Sequence, residues 1–170
     1  MPMKRYLIAL LVLLMMLVTA TAEERMMYSR GDTVADFTLT AWDGQEVCLS
    51  AALAEKDAVV LHFFSPTCGG CVEEMPLIQA AYEAYAERVG FIVVSIAGTD
   101  KQLETFCTRR GLTFPVARDA AQISLTYPLY GVPLTLVIDK EGVLREIKEG
   151  MLADMAAFDA LIAPYLAVEN

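Results

Sequence analysis

Two apolar runs, Ala58 to Phe64 and Phe91 to Ala97, interrupted only by His62 and Ser95, dominate the hydropathy pattern of the chain. Runs of this length without polar alternation read as strands covered on both faces, the mark of a sheet with helices packed against it. Between them, Val72 to Arg88 has the spacing of a helix, and Pro76 inside it removes one hydrogen bond and predicts a kink. Further on, Asp100 is placed to cap a helix running to about Arg110, with Gly111 ending it. Asp119 to about Tyr127 reads as another short helix. Leu134 to Ile138 and Val143 to Lys148 form a strand pair around Asp139-Lys140-Glu141-Gly142. Leu152, Met155, Phe158, Leu161, Ile162 and Tyr165 fall on one face of a last helix opened near Asp154. Upstream, Phe37 to Thr40 and Val47 to Leu49 flank Trp42-Asp43-Gly44-Gln45, where Asp-Gly signals a hairpin turn. Strand, helix, strand, helix, then a strand hairpin and a helix, is the order of a three-layer α/β sandwich.

The N-terminal pattern differs from the rest. Lys4 and Arg5 precede an apolar stretch from Tyr6 to Val18, and Ala20-Thr21-Ala22 offers small residues to a signal peptidase. The stretch is short for a bilayer span of about 20 residues. Residues 1–22 are therefore expected to be a signal peptide, with an uncleaved anchor as the alternative, followed by a flexible lead-in over 23–33 and a single domain over 34–168. Removal of the leader leaves 11 basic against 22 acidic residues, a net charge of −11. That balance argues against nucleic acid or an anionic membrane as partner. Export implies an oxidising compartment, and all four cysteines (48, 68, 71 and 107) lie in the exported part.

The chemistry concentrates in Ser65-Pro66-Thr67-Cys68-Gly69-Gly70-Cys71-Val72-Glu73-Glu74-Met75-Pro76. Cys68 falls where a strand gives way to a helix, and the free N–H groups and dipole of a helix start favour thiolate over thiol. Cys71, one turn on, can attack the first sulfur and close a disulfide, the minimum needed to move two electrons between dithiol and disulfide. A zinc site would need two further ligands, and the sequence supplies no second cluster.

Four pieces of the sequence carry a family resemblance: Asp36-Phe37-Thr38-Leu39 with the Asp-Gly turn; Cys68 to Cys71 with Glu74, Met75 and Pro76; Phe114-Pro115-Val116 followed by Asp119; and Val132-Pro133-Leu134-Thr135 leading into Val137-Ile138-Asp139. In this order the chain resembles the TlpA/ResA-like extracytoplasmic thiol–disulfide oxidoreductases. The resemblance implies a thioredoxin-like α/β/α fold with a mixed central sheet and an N-terminal β-hairpin, and a periplasmic or other extracytoplasmic location. It departs from the family's pattern at Thr67 and Phe64, where tryptophans are usual, and at Gly69-Gly70, which lacks a common proline.

The resemblance assigns Cys68 as the exposed attacking thiol and Cys71 as the buried resolving thiol. Pro133 is expected in cis opposite the pair, leaving the Val132 backbone to meet an extended substrate, and Gly69 and Gly70 complete the expected substrate contacts. Glu74, three residues after Cys71, lies on the same side of a helix, and is either a partly buried carboxyl group of raised pKa that exchanges protons with Cys71 or a solvated, dipole-favourable residue near the helix start. His62 occupies the position where thioredoxin buries an aspartate, and is either a proton shuttle for Cys71 or a neutral core histidine. Cys48 and Cys107 form a structural bridge or are two buried thiols. Tyr127-Pro128-Leu129-Tyr130 either lines the substrate groove or packs in the core. No cofactor and no metal are expected. Protein disulfides, a membrane thiol donor of the CcdA/DsbD type and a monomeric state complete the expectations. Two alternatives compete. A peroxiredoxin-type peroxidase would want Pro-x-x-x-Thr/Ser-x-x-Cys, and counting back from Cys68 gives Ser65 but Leu61 in place of the proline. A copper or thiol-ligand carrier would want a later histidine, and none follows His62.

Overall fold

The computed structural model describes residues 27–167; the expected leader over residues 1–22 lies outside them. The elements in chain order are β1 (Thr38–Thr40), β2 (Glu46–Cys48), α1 (Leu49–Glu55), β3 (Ala58–Phe64), α2 (Gly69–Tyr85), β4 (Val89–Ser95), α3 (Asp100–Arg110), β5 (Val116–Arg118), a 3₁₀ turn (Ile123–Thr126), β6 (Leu134–Asp139), β7 (Leu144–Glu149), α4 (Met155–Ile162) and a last 3₁₀ turn (Ala163–Tyr165). Five strands form one sheet in the order β5-β4-β3-β6-β7, and β1 pairs with β2 in a separate antiparallel hairpin. β3, β4 and β5 run parallel, whereas β6 and β7 run antiparallel, so the sheet is mixed. No helix among the described residues is long and apolar enough to cross a membrane.

Alternation along β3 explains the layers, because successive side chains point to opposite faces. Ala58, Val60 and Phe64 join a core with Cys71, Met75 and Ile78 of α2, Leu103 and Phe106 of α3, and Phe158 and Ile162 of α4. Val59, Leu61 and Phe63 join a second core with Leu39, Val47, Leu49 and Tyr127 on the other face. Every residue of β3 and β4 is buried, as expected for strands covered on both sides. His62 shares the parity of Val60 and Phe64 and so faces α2, opposite Thr135 in the register of β6.

Several boundaries differ from the sequence reading. α2 begins at Gly69 instead of Val72, because Cys68 serves as its N-cap and admits two glycines to the first turn; it ends at Tyr85. α3 is capped by Thr99, not Asp100, in a reciprocal capping box with Gln102, and Gly111 ends it in the left-handed conformation (φ 64°). β4 covers Val89–Ser95 in place of Phe91–Ala97. The helix expected over 119–127 is only the 3₁₀ turn, since the Asp119 carboxylate takes the amides of Ile123 and Ser124 and favours a turn. Two elements, α1 and β5, had no clear sequence signal. Residues at the start of the described chain lie against the sheet: the Gly31 amide donates to Leu144 O at 2.8 Å and the Val34 amide to Gly142 O at 2.9 Å.

Candidate active site

β3 ends at Phe64, and the chain then turns through Ser65-Pro66-Thr67 before α2 begins. The Cys68 amide donates to Ser65 O at 3.1 Å, and the hydroxyls of Ser65 and Thr67 meet at 3.0 Å, which fixes the turn. Cys68 has extended backbone angles (φ −85°, ψ 119°), as an N-cap requires, and its sulfur accepts the Cys71 amide at 3.3 Å. The thiol of Cys68 in turn donates to Val132 O at 3.4 Å. Val132–Pro133 is a cis peptide bond, and through this contact the half-buried Cys68 faces the backbone preceding Pro133.

Cys71 is fully buried beneath the first turn of α2. Burial above all, with the neighbouring Cys68 sulfur and the charge of Glu74, pushes its thiol up to about 12. One turn further, Glu74 is 2% exposed. Its Oε1 accepts the Leu152 amide at 2.6 Å. Burial raises the Glu74 carboxyl above the ordinary range, while the Leu152 amide and the charge of Lys148 pull it back. His62 is wholly buried; its Nδ1 lies 3.0 Å from Thr135 Oγ1 and its Nε2 3.9 Å from Glu74 Oε2. Burial brings the imidazole down to about 4.

Sequence reasoning missed the segment between β7 and α4. The Gly150 amide donates to Pro133 O at 2.9 Å, and two residues on the Leu152 amide reaches Glu74. Lys148 Nζ draws the carbonyls of Glu149, Gly150 and Met151 around itself at 2.6, 3.2 and 3.0 Å. This loop thus ties the proline backbone to the acid behind Cys71. Met151 lies over the motif: a Cβ placed on Gly70 would stand 3.0 Å from Met151 Sδ, whereas one on Gly69 would meet nothing within 4 Å. These partners are some eighty residues from the cysteines in sequence, and no local pattern marks them.

The remaining candidates separate from the site. Cys48 and Cys107 are both free thiols, so no bridge joins them, and of the two only Cys107 is buried, Cys48 being half-exposed. The Cys48 sulfur lies 3.2 Å from Ser50 Oγ beside Asp36, while Cys107 is buried in the α2–α4 core. The Tyr-rich stretch divides, with Tyr127 packed between Tyr28 and Phe63 in the second core and Tyr130 80% exposed.

Comparison with known proteins adds to this geometry. The profile of the AhpC/TSA family matches residues 30–147, most of the described chain. The chain belongs to the AhpC/TSA family. It is 33% identical over 124 residues to the thiol-disulfide oxidoreductase ResA of Geobacillus kaustophilus, covering 72% of this chain and 70% of that one. It is 29% identical over 125 residues to the thioredoxin-like protein YneN of Bacillus subtilis, covering 72% of each. Among solved structures, a thioredoxin-family thiol:disulfide interchange protein from Chlorobium tepidum superposes with a TM-score of 0.72 at 22% identity, over 82% of this chain and 99% of that one. StoA from Bacillus subtilis gives 0.61 at 23% identity, over 71% and 92%. These two show the thioredoxin fold, and the ResA match places the chain among the thiol–disulfide oxidoreductases.

Proposed function

We propose that this protein is an extracytoplasmic protein-disulfide reductase in which Cys68 attacks and Cys71 resolves. The Cys68 thiolate displaces one sulfur of a substrate disulfide, which leaves as a thiolate and takes a proton from solvent. The Cys71 thiolate then attacks Cys68 Sγ, breaking the mixed disulfide and releasing the second substrate sulfur. Two electrons pass to the substrate, and the protein is left with a Cys68–Cys71 disulfide. A membrane-bound dithiol donor of the CcdA/DsbD type returns the electrons by the same exchange in reverse.

The observation that carries this reading is the half-buried Cys68 sulfur at 3.4 Å from Val132 O, backed by a fully buried Cys71. A substrate strand laid along Val132 and Pro133 would bring its own sulfur to Cys68; Gly69, where an added Cβ would meet nothing within 4 Å, leaves room for it, while Gly70 lies under Met151. Glu74, on the Cys71 side of α2, supplies a carboxyl group raised toward neutrality as the proton acceptor for the buried thiol. Envelope proteins with cysteine pairs, apocytochrome c among them, are the substrate class the family resemblance suggests. A leader over residues 1–22 fits delivery to that compartment, with residues 34–168 acting there as a monomer.

Trapping tests the assignment. Cys71→Ser should accumulate covalent complexes through Cys68, released by reductant and identified by mass spectrometry. Cys68→Ser should lose exchange entirely. Normal insulin reduction by both variants would refute the reading.

A further inference from the structure

His62 Nε2 and Glu74 Oε2 are buried side-chain polar atoms without a hydrogen-bond partner, and they face each other across 3.9 Å. Buried polar atoms that miss a partner are rare and costly. The gap is too long for a hydrogen bond and too short for a water in line, so an approach of roughly 1 Å completes the pair. Two lone pairs facing each other there would repel, and two hydrogens would clash. The gap is satisfied only by a single proton.

We infer that His62 and Glu74 share one proton across this gap and that His62, as a positioning residue, thereby sets the charge Glu74 presents to Cys71. The inference rests on the exchange reading above and deepens it. Two arrangements satisfy every partner. In one, Glu74 is a carboxylate, Nε2–H points at it, and Nδ1 accepts the Thr135 hydroxyl, for a net charge of −1. In the other, the trio holds one proton more: Nδ1–H donates to Thr135 Oγ1, one proton stays in the gap, and the net charge is zero. A hydroxyl serves either way because it both donates and accepts.

The groups around the pair come from four elements. Cys71 lies one turn away on α2, Lys148 of β7 and the Leu152 amide favour the carboxylate, Thr135 of β6 holds Nδ1, and the ring of Phe64 lies 6.4 Å from the imidazole on β3. An ionised Glu74 opposes a thiolate at Cys71. The proton that Cys71 gives up before attacking Cys68 is the one the trio gains. Charge in this buried region is −1 before the transfer and −1 after it, so the thiolate forms without adding a second buried charge.

Nitrogen-15 NMR of the His62 ring in the full chain tests this between pH 5 and 9. In the dithiol form the ring signals should step from one tautomer to the other with the same midpoint as the Glu74 carboxyl carbon. Glu74→Gln should abolish the step, and forming the Cys68–Cys71 disulfide should move its midpoint. Release of the mixed disulfide should slow about 100-fold in Glu74→Gln and about tenfold in His62→Asn, with the double variant no slower than the worse single. A ring held in one tautomer across the range in the wild-type chain, unaltered by Glu74→Gln, would overturn the inference even if His62→Asn fails to fold. Loss of trapping by Cys71→Ser with the shared step intact would instead sink the exchange reading alone.

Discussion

At the scale of single residues, the site is a contrast between two sulfurs and one acid. Cys68 is held at the surface by the N-cap geometry, while Cys71 is held inside, where its thiol lies at about 12. Glu74 is the residue whose protonation links the site to stability. Burial raises its folded-state pKa above the unfolded one, so its proton is bound more tightly in the folded chain. The stability this provides is full below the ordinary carboxyl range and is lost as pH rises through the folded value. Glu74→Gln keeps the acceptor for the Leu152 amide and removes that loss. Denaturant unfolding of the dithiol protein should therefore show the variant gaining stability over the parent as pH rises from about 4 to about 8, with no gain at the acid end. His62 acts in the opposite sense. Its pKa falls from 6.5 to about 4 on folding, so its burial weakens the protein as pH drops through that window.

Three of the four helices among the described residues are opened by a side-chain cap, Cys68 for α2 being one. Thr99 and Gln102 cap α3, and Asp154 accepts the Ala157 amide at 2.9 Å to open α4. Close packing sets other positions. In β4, a Cβ on Gly90 would stand 3.0 Å from Val59 Cγ2 and 3.2 Å from Ala52 Cβ, so glycine is what lets α1 lie on the sheet there. Gly90→Ala should cost about 1–3 kcal/mol by thermal or denaturant unfolding. Removing the neighbour's methyl groups with Val59→Ala should restore part of it, because the two changes share one contact. At this scale the sequence reading was strong for β3 and β4, whose apolar runs declare themselves, and for the β6–β7 pair, marked by the apolar start of β6 and the Asp139–Gly142 turn. It failed at α1 and β5, short elements whose formation depends on what they pack against. It also misjudged residues 119–127, where the Asp119 side chain competes with the helix for backbone amides.

Across the whole molecule, one sheet separates two cores, and the strands are shared by both. Phe158 fills the α2–α4 side, and Leu136 fills the opposite side. Phe158→Ala should cost about 3–5 kcal/mol and Leu136→Ala about 2–5 kcal/mol. Since the side chains lie on opposite faces and share no partner, the double variant should lose the sum to within about 0.5 kcal/mol. Circular dichroism and fluorescence should report a single coincident transition for each variant, because β3 and β6 carry both cores and cannot melt by halves. The loop over Gly150–Leu152 works at this scale too, joining the chain after Val132–Pro133 to Glu74 on α2 through two amides.

What the sequence determined by itself was local. The Cys68–Cys71 spacing after a buried strand, the apolar runs and the Val-Pro-x-Thr segment declared the chemistry and the layered fold, because strand burial and helix capping are written in neighbouring residues. Tertiary structure decided who meets whom. It set His62 against Glu74, Leu152 on that carboxyl and Met151 over Gly70, and it left Cys48 and Cys107 as free thiols. Such contacts depend on the register of β3 against β6 and on the path of one loop, and groups brought together from different elements, twelve residues apart for His62 and Glu74 and about eighty for Gly70 and Met151, leave no periodic trace along the chain.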